Sequence, residues 1–290
     1  MIENYLINIL IFMCIYLILA ISLNLTLGYT GLLNLGHIAL FGIGAYTSAI
    51  LTKEGFPFII GFILAGIIAA IFGYILILAT KKLKGDYLAL ATLGFSFVIS
   101  SLMINLVSIT RGPLGIPGIT RPHIFNLIIK SNFSYLIFAI IICIITVFII
   151  SLIVKSPFGR LLQATRDDEL SLRVLGKNTN KLKYKSMIIS GFFAGIAGNL
   201  FAHYIGYIDP TPFSLTNIIL VFTIVIVGGI ASIKGTIVST IIIILIPELL
   251  RFLAIPNTIL GPTRQIVYSL ILLGIILFKP KGLFGRIDLE

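Results

Sequence analysis

Between Tyr5 and Leu27 the chain carries no charged residue, and none again between Phe133 and Val154. A helix rises about 1.5 Å per residue, so about 20 apolar residues cross a hydrocarbon layer about 30 Å thick. Runs of this kind recur along the whole chain, which is 58% hydrophobic and 11% charged with a mean hydropathy of +1.14. Soluble domains carry about 25% charged residues. The runs also exceed the roughly 10 residues of a barrel strand. The expected fold class is an all-α polytopic membrane protein with about nine transmembrane helices, within a range of eight to ten set by whether Gly28–Gly36 fully crosses, one of them broken or re-entrant. The opening MIEN lacks the basic start and cleavage site of a signal peptide, so the first run is expected to be retained.

Charge then orients the spans. The net charge of +11 is read as basic loops against the cytoplasmic face rather than as a nucleic-acid surface. Lys81–Asp86, Lys155–Lys185, Lys234 and the tail with Lys279, Lys281 and Arg286 are expected inside. Ile208–Thr216, with one Asp, two Pro and no base, is expected outside. Thr110–Ser134 also falls outside, against the rule, since it holds Arg111, Arg121 and Lys130. Pro and Gly punctuate it, so it is not one regular helix. The remaining spans are Pro57–Thr80, Tyr87–Ile109, Ser186–Tyr207, Asn217–Ile233, Gly235–Ile246 and a short last one at Gln265–Phe278. Within Ser186–Tyr207, Gly191 and Gly195 form a GxxxG pair that favours close helix contact.

The segment Lys155–Lys185 holds eight of the 21 Lys and Arg residues and three of the ten acids. Ser156 suits an N-cap, Pro157 the first helical position and Gly176 the C′ position. One helix over Pro157–Gly176 is expected, with Phe158, Leu161, Leu162, Leu172 and Leu175 near one face. Glu169 falls within that face, with Arg166 at i−3 and Arg173 at i+4 in pairing range. Two readings follow: a helix on the membrane surface with a stray ion pair, or a helix docking into another protein with Glu169 fixing its register.

Gly28–Leu51 is rich in Gly and carries Thr, Asn and His but no formal charge. It reads as a broken or re-entrant element followed by a tightly packed helix. Irregular backbone at membrane depth needs surrounding protein or a water-filled cavity, and broken helices often lie on transport paths. The competing reading is close helix crossing through small residues.

Cys14 and Cys143 lie inside apolar runs, so neither a disulfide nor a metal site is expected. His37, His123 and His203 are widely separated; His37, beside the break, is read as a structural hydrogen-bonder. Glu248 and Arg251, one turn apart, are expected to pair. The sequence contains no GxxxxGK[ST], HExxH or GxSxG, and no acid stands clearly mid-span as a proton-coupled carrier would place it. A pathway without its own energy source, joined to a docking helix, predicts a partner ATPase. A stand-alone carrier or channel and an intramembrane enzyme are the alternatives from other classes.

Six ordered motifs then carry a resemblance: LNLTLGYTGLLNLGHIALFGIGAY (Leu23–Tyr46), LKGDYLALATLGF (Leu83–Phe95), TRGPLGI (Thr110–Ile116), the stretch Ser156–Ala202, VIVGGIASIKG (Val225–Gly235), and PELLR with the terminal KPKGLFG. Along nearly its whole length the chain resembles the permease subunits of branched-chain amino-acid ABC importers, LivM-type. The resemblance implies one permease domain over 1–290, with 155–185 its cytoplasmic coupling loop, in a prokaryotic cytoplasmic membrane with the C-terminus inside. It implies a second related permease, two cytoplasmic ATPases that bind the ATP, and an extracytoplasmic binding protein. The chain itself would be no enzyme and hold no cofactor. Leucine, isoleucine or valine would be the cargo, with urea or short amides as the sister alternative. Gly159, Arg166, Glu169 and Gly176 match the family's coupling positions, and Arg173 joins them as Glu169's partner. Leu-Ser follows Glu169 where importers in general have Ala-Ala, which limits borrowing of contacts. For the substrate path the residues chosen are Asn34, Gly36, His37, Gly44 and Tyr46, where glycines free the backbone and Asn34 and Tyr46 offer hydrogen bonds.

Overall fold

The computed structural model describes residues 2–124, 127–251, 257–279 and 281–285. Nearly all of them are helical. In order these are α1 (Ile2–Asn24), α2 (His37–Lys53), α3 (Phe58–Thr80), α4 (Gly85–Asn105), the single turn α5 (Val107–Thr110), α6 (Asn132–Lys155), α7 (Pro157–Asp167), α8 (Glu169–Val174), α9 (Thr179–Ile205), α10 (Leu215–Gly228), α11 (Ile233–Arg251) and α12 (Asn257–Phe278). Among the described residues six helical segments are long and apolar enough to cross a membrane, and α10 and the described start of α11 are shorter apolar helices.

The bundle buries a core of large apolar side chains, among them Ile15, Leu19, Phe41 and Phe201, and also exposes large ones on its outer faces. Along the middle of α3 the buried positions are small, Gly61, Ala65, Gly66, Ala69, Ala70 and Gly73, with Phe58, Leu76 and Ile77 buried nearer its ends. Its exposed positions are Ile60, Ile63, Ile67, Ile71, Ile75 and Leu78, a stripe at helical spacing. Lipid is as apolar as isoleucine, so burial of large side chains drives nothing here; close approach of backbones does. Accordingly α9, flanked by α1, α2 and α3, is the most buried of the long helices. The Gly191/Gly195 pair makes the close contact its spacing foretold: a methyl group on Gly195 would stand 2.3 Å from the Ala65 carbonyl oxygen. Gly44 backs onto Gly195, and Gly198 lies against the Phe41 carbonyl.

Contacts set the direction of each helix. α1 runs antiparallel to α9, with Tyr204 Oη donating to Asn8 at one end and Ser190 Oγ to the Ser22 carbonyl deeper in. α2 runs parallel to α9: Asn34 meets Met187 near one end and Thr52 meets His203 near the other. α10 and α11 are antiparallel, and Ser239 Oγ donates to the Ile224 carbonyl between them.

The Thr110–Ser134 loop has no long helix. Its strand β1 (Ile116–Pro117) pairs antiparallel with β4 (Tyr207–Ile208), so it shares one end of the bundle with the Ile208–Thr216 loop. β2 (His123–Ile124) and β3 (Leu127–Ile128) make a second small pair. Arg121, one of the three bases that broke the charge rule, donates to the Lys130 carbonyl and to Asn132 Oδ1, tying the loop to the start of α6.

Three boundaries differ from the sequence reading. The span expected at Asn217–Ile233 ends at Gly228, because Gly229 turns to φ +103 and Ala231 to φ +58. Lys234, expected in a turn, therefore lies in the first turn of α11. The last helix starts at Asn257, well before Gln265, with Pro262 inside it. The expected loop near Pro256 lies outside the described residues, as does Arg286. Arg251's side chain does too, and the pairing expected with Glu248 falls there; Glu248 also faces Arg264, at 3.7 Å, and the hydroxyl of Tyr5.

Gly44→Val is expected to lower the thermal unfolding midpoint of the detergent-solubilised protein, because overpacking a close contact costs about 1–3 kcal/mol. Gly94→Ala, where a methyl meets open space, is the control that leaves it unchanged.

Candidate functional site

The site is built where the broken leg after α1 meets α7 and α8. α1 does not stop cleanly at Asn24. It widens into a π-helical turn, Leu25–Tyr29, and the chain then runs irregularly to Gly36 before α2 begins. Gly31, at φ +72, makes the turn out of the helix. The sequence expectation of a broken element followed by a tightly packed helix is met.

The segment Pro157–Gly176 is two helices rather than one. Ser156 caps α7, its Oγ accepting from Gly159 N–H at 3.3 Å, and Pro157 is the first helical residue. Gly159 sits in the corner between α6 and α7, where a methyl would lie 2.1 Å from the Val154 carbonyl oxygen. Asp168 breaks the helix with extended backbone, φ −153 and ψ 96. Its carboxylate accepts from Leu170 N–H and Ser171 N–H, so it is the N-cap of α8. An aspartate that competes for local N–H groups favours a cap over a helix interior. These bonds, the one from the Ser171 hydroxyl first, hold the Asp168 carboxyl below its ordinary range. Gly176 takes φ +74, as a C′ glycine does.

The break changes what pairs with what. Leu162 and Leu172 are buried against Leu25, Tyr29 and Leu182, which docks both helices on the π turn. Leu175, expected on that face, is instead exposed, together with Leu170 and Val174. Arg166 does not reach Glu169. Its Nη1 donates to the Gly28 carbonyl at 2.6 Å and its Nη2 meets Asp167 at 2.7 Å. The stem of Arg166 also fills the space beside Gly31, where a methyl would lie 2.8 Å from its Cγ.

Glu169 does pair with Arg173, at 2.5 Å. It also meets Lys183 of α9 at 2.9 Å, Lys84 before α4 at 3.4 Å, and Thr179 Oγ1 at 3.0 Å. Burial pushes the Glu169 carboxyl up, but the Lys183 bond and charge, with Thr179 and Arg173, outweigh it and hold it at about 2. One acid thus ties α8 to two other parts of the bundle. Lys84, Thr179 and Lys183 were missed in the sequence because their link to Glu169 is spatial. The signal available was a lone acid among bases on an apolar face.

The five residues chosen for the path lie in the packed interior. His37 Nε2 is 2.9 Å from Ser22 Oγ and 3.2 Å from the Leu19 carbonyl, as a structural hydrogen-bonder would be. Asn34 Nδ2 meets the sulfur of Met187. Gly36 and Gly44 face the Thr92 carbonyl and Gly195. Asn34 Oδ1, His37 Nδ1 and the Tyr46 hydroxyl are buried without a hydrogen-bond partner among the described residues. Asn24, not singled out by sequence, anchors the end of α1 to the α10–α11 turn: it accepts from Ala231 N–H at 3.0 Å and donates to Thr236 Oγ1 at 2.8 Å. Among the described residues no group of three His, Cys, Asp or Glu side chains is placed to hold a metal ion.

Six helical segments of spanning length, packed through small residues, with a broken leg and a charged loop at one end, define a polytopic membrane protein. Residues 5–278 match the family of branched-chain amino acid transport system permease components, and the chain belongs to that family. It is 33% identical over 299 residues to the high-affinity branched-chain amino acid transport system permease protein LivM of Escherichia coli, covering 93% of this chain and 67% of that one. The probable branched-chain amino acid transport permease LivM of Methanocaldococcus jannaschii is 28% identical, over 95% and 92% of the two chains. The LivH permease of Salmonella typhimurium is 26% identical, with the same coverage. No solved structure matches the chain.

The carboxyl of Glu169 is held below the ordinary glutamate value of 4.5, so its ion pairs stabilise the folded protein fully above about pH 4.5 and lose that contribution as pH falls towards about 2. The thermal midpoint of the wild type is expected to fall across that window more steeply than that of Glu169→Gln, measured in detergent.

Proposed function

We propose that the chain is the permease subunit of an ATP-driven importer that carries leucine, isoleucine or valine across a prokaryotic cytoplasmic membrane. It makes nine passes, with the leg from Gly31 through α2 counting as one and α10 as a short one. The alternation of helix directions supports this count. The end bearing α7, α8 and the Lys281–Gly285 tail faces the cytoplasm, as its bases favour. The partners are a second related permease, two ATPases beneath, and a binding protein that delivers cargo from outside. That both LivM- and LivH-named relatives align with the chain supports a permease pair.

The observation that carries the coupling role is the path of Arg166 and Glu169. α8 presents Leu170, Val174 and Leu175 outward, with Val174 87% exposed, as an apolar contact for an ATPase. Behind that contact, Glu169 grips Lys84 and Lys183 while Arg166 grips the Gly28 carbonyl. A push on α8 therefore reaches the α3–α4 turn, α9 and the broken leg through charge-assisted bonds, which are stronger than neutral ones. Arg173 holds Glu169 in place, while Gly159 and Gly176 set the two corners of the loop. Asn34, Gly36, His37, Gly44 and Tyr46 form the wall that opens towards cargo. The unpartnered atoms of Asn34, His37 and Tyr46 are the polar groups a passing amino acid would use once the leg moves.

Glu169→Arg places a fourth base where three already converge. It is expected to abolish leucine uptake, or copurification with the ATPases, in membranes that retain the chain at the normal level. Wild-type uptake by this variant would sink the coupling role of Glu169.

A further inference from the structure

A second feature begins beside the coupling loop and runs away from it along the helices. α3, α6 and α9 form a groove of about 630 Å³ on the outer side of the bundle. Ile67 and Ile71 of α3, Ile149 and Ile153 of α6, and Ile188 and Phe192 of α9 line it. Its one side chain with a polar group is Tyr74. Gly66 lets the Phe192 ring lie close against α3, since a methyl there would stand 2.6 Å from the ring. Towards the basic end of the helices, Tyr74 meets Tyr184 of α9 edge to face, with ring centroids 5.8 Å apart. Tyr184 also lines a second hollow, of about 370 Å³, together with Lys81, Lys82, Lys84, Arg173 and Asn180. The tyrosine pair is thus the threshold between an apolar groove and a basic hollow. Among the described residues no acid lines that hollow. Glu169, beside it, is already shared among Lys84, Arg173 and Lys183. Lys81 and Lys82 are exposed and make no ion pair among the described residues.

We infer that groove and hollow together hold one anionic phospholipid, its acyl chains along Ile71, Ile188 and Phe192 and its phosphate on Lys81 and Lys82. An amphiphile with an anionic head beside long apolar chains fills both parts at once. A soluble phosphate would use the hollow and leave the groove to bulk lipid. A neighbouring membrane helix could fill the groove, but membrane proteins collect their bases on one side, so it would bring like charge to the hollow. Basic hollows between membrane helices recognise lipid head groups, and each base near an anionic lipid contributes about fivefold in affinity. Tyrosine suits the threshold, because its ring packs with the chains while its hydroxyl stays at head-group level. The site needs only the membrane fold and stands whatever the cargo. Lys84 and Arg173, which line the hollow, are also the bases that hold Glu169, so a bound head group sits one side chain away from the coupling acid.

The chain contains no Trp, so Ile71→Trp, half-exposed in the groove, gives a single fluorophore. Ile67→Trp, one turn away in the same groove, is the second reporter should the first fail to fold. Phe97→Trp, on the exposed face of α4, reports ordinary lipid contact. Each full-length variant is placed in vesicles of phosphatidylcholine and phosphatidylglycerol, with bromine on the acyl chains of one lipid or the other as quencher. Quenching in the groove is expected to favour phosphatidylglycerol by about fivefold or more. Quenching of Phe97→Trp should favour neither lipid. Lys81→Gln with Lys82→Gln, added to Ile71→Trp, should remove most of the groove's preference and keep the unfolding midpoint. Millimolar glycerol 3-phosphate, a head without chains, should not displace the lipid. The site is overturned by no preference in the groove, by an equal one at Phe97→Trp, or by an undiminished one in the lysine double variant. Displacement by glycerol 3-phosphate overturns it too and makes the hollow a soluble-anion site. The same quenching is read on the chain copurified with its partners; loss of the signal there would show a protein covering the groove and would also overturn the lipid site.

Discussion

A backbone carbonyl inside a membrane protein must find a donor within the protein, since lipid offers none. The Gly28 carbonyl, released where the π turn unwinds, finds one in Arg166. Much of the basic end depends on that bond. It allows α1 to end in an irregular leg instead of a regular helix. It draws α7 against the leg, where Leu162 packs on Leu25 and Tyr29. It leaves Glu169, one break further on, to face α9 and the α3–α4 turn. Without a long basic side chain at position 166, the leg would have to close its own hydrogen bonds as helix, and the loop would lose its grip on it.

The interior follows the same economy. At the closest backbone contacts of α9 with α2 and α3 one partner is a glycine, and α3, α4 and α6 each carry large apolar side chains on an outward face. Polar side chains inside the bundle mostly bond to carbonyls of neighbouring turns or helices, as Ser190 does to Ser22 and Tyr135 to Leu200. These bonds join helices that the hydrophobic effect cannot hold together in lipid.

Much of this was legible in the residues. Apolar runs between charges located the long helices, because a span has a minimum length and few ways to tolerate charge. Ser156, Pro157 and Gly176 marked the corners of the loop, since each has a local conformational preference. The Gly-rich stretch after α1 announced its break. What escaped was set by distance in space. Asp168 looked like one more helical residue, yet its carboxylate found the N–H groups of Leu170 and Ser171 and split the helix. That split turned Leu175 outward and separated Arg166 from Glu169. No spacing rule links Glu169 to Lys183 or Asn24 to Ala231; only the packed bundle does. The same holds for Glu248 and Arg264, whose helices are joined through residues outside the described set.

The hydrogen bonds that end the bundle have a consequence for how it is made. Leu283 N–H and Phe284 N–H donate to the carbonyls of Val227 and Gly228, the last residues of α10. Gly229 packs directly against Gly285. The turn after α10 is therefore unfinished until residues more than fifty positions later have been synthesised. The segment Lys281–Gly285 thus acts as a latch on the α10–α11 turn, one that can close only after both helices have been made.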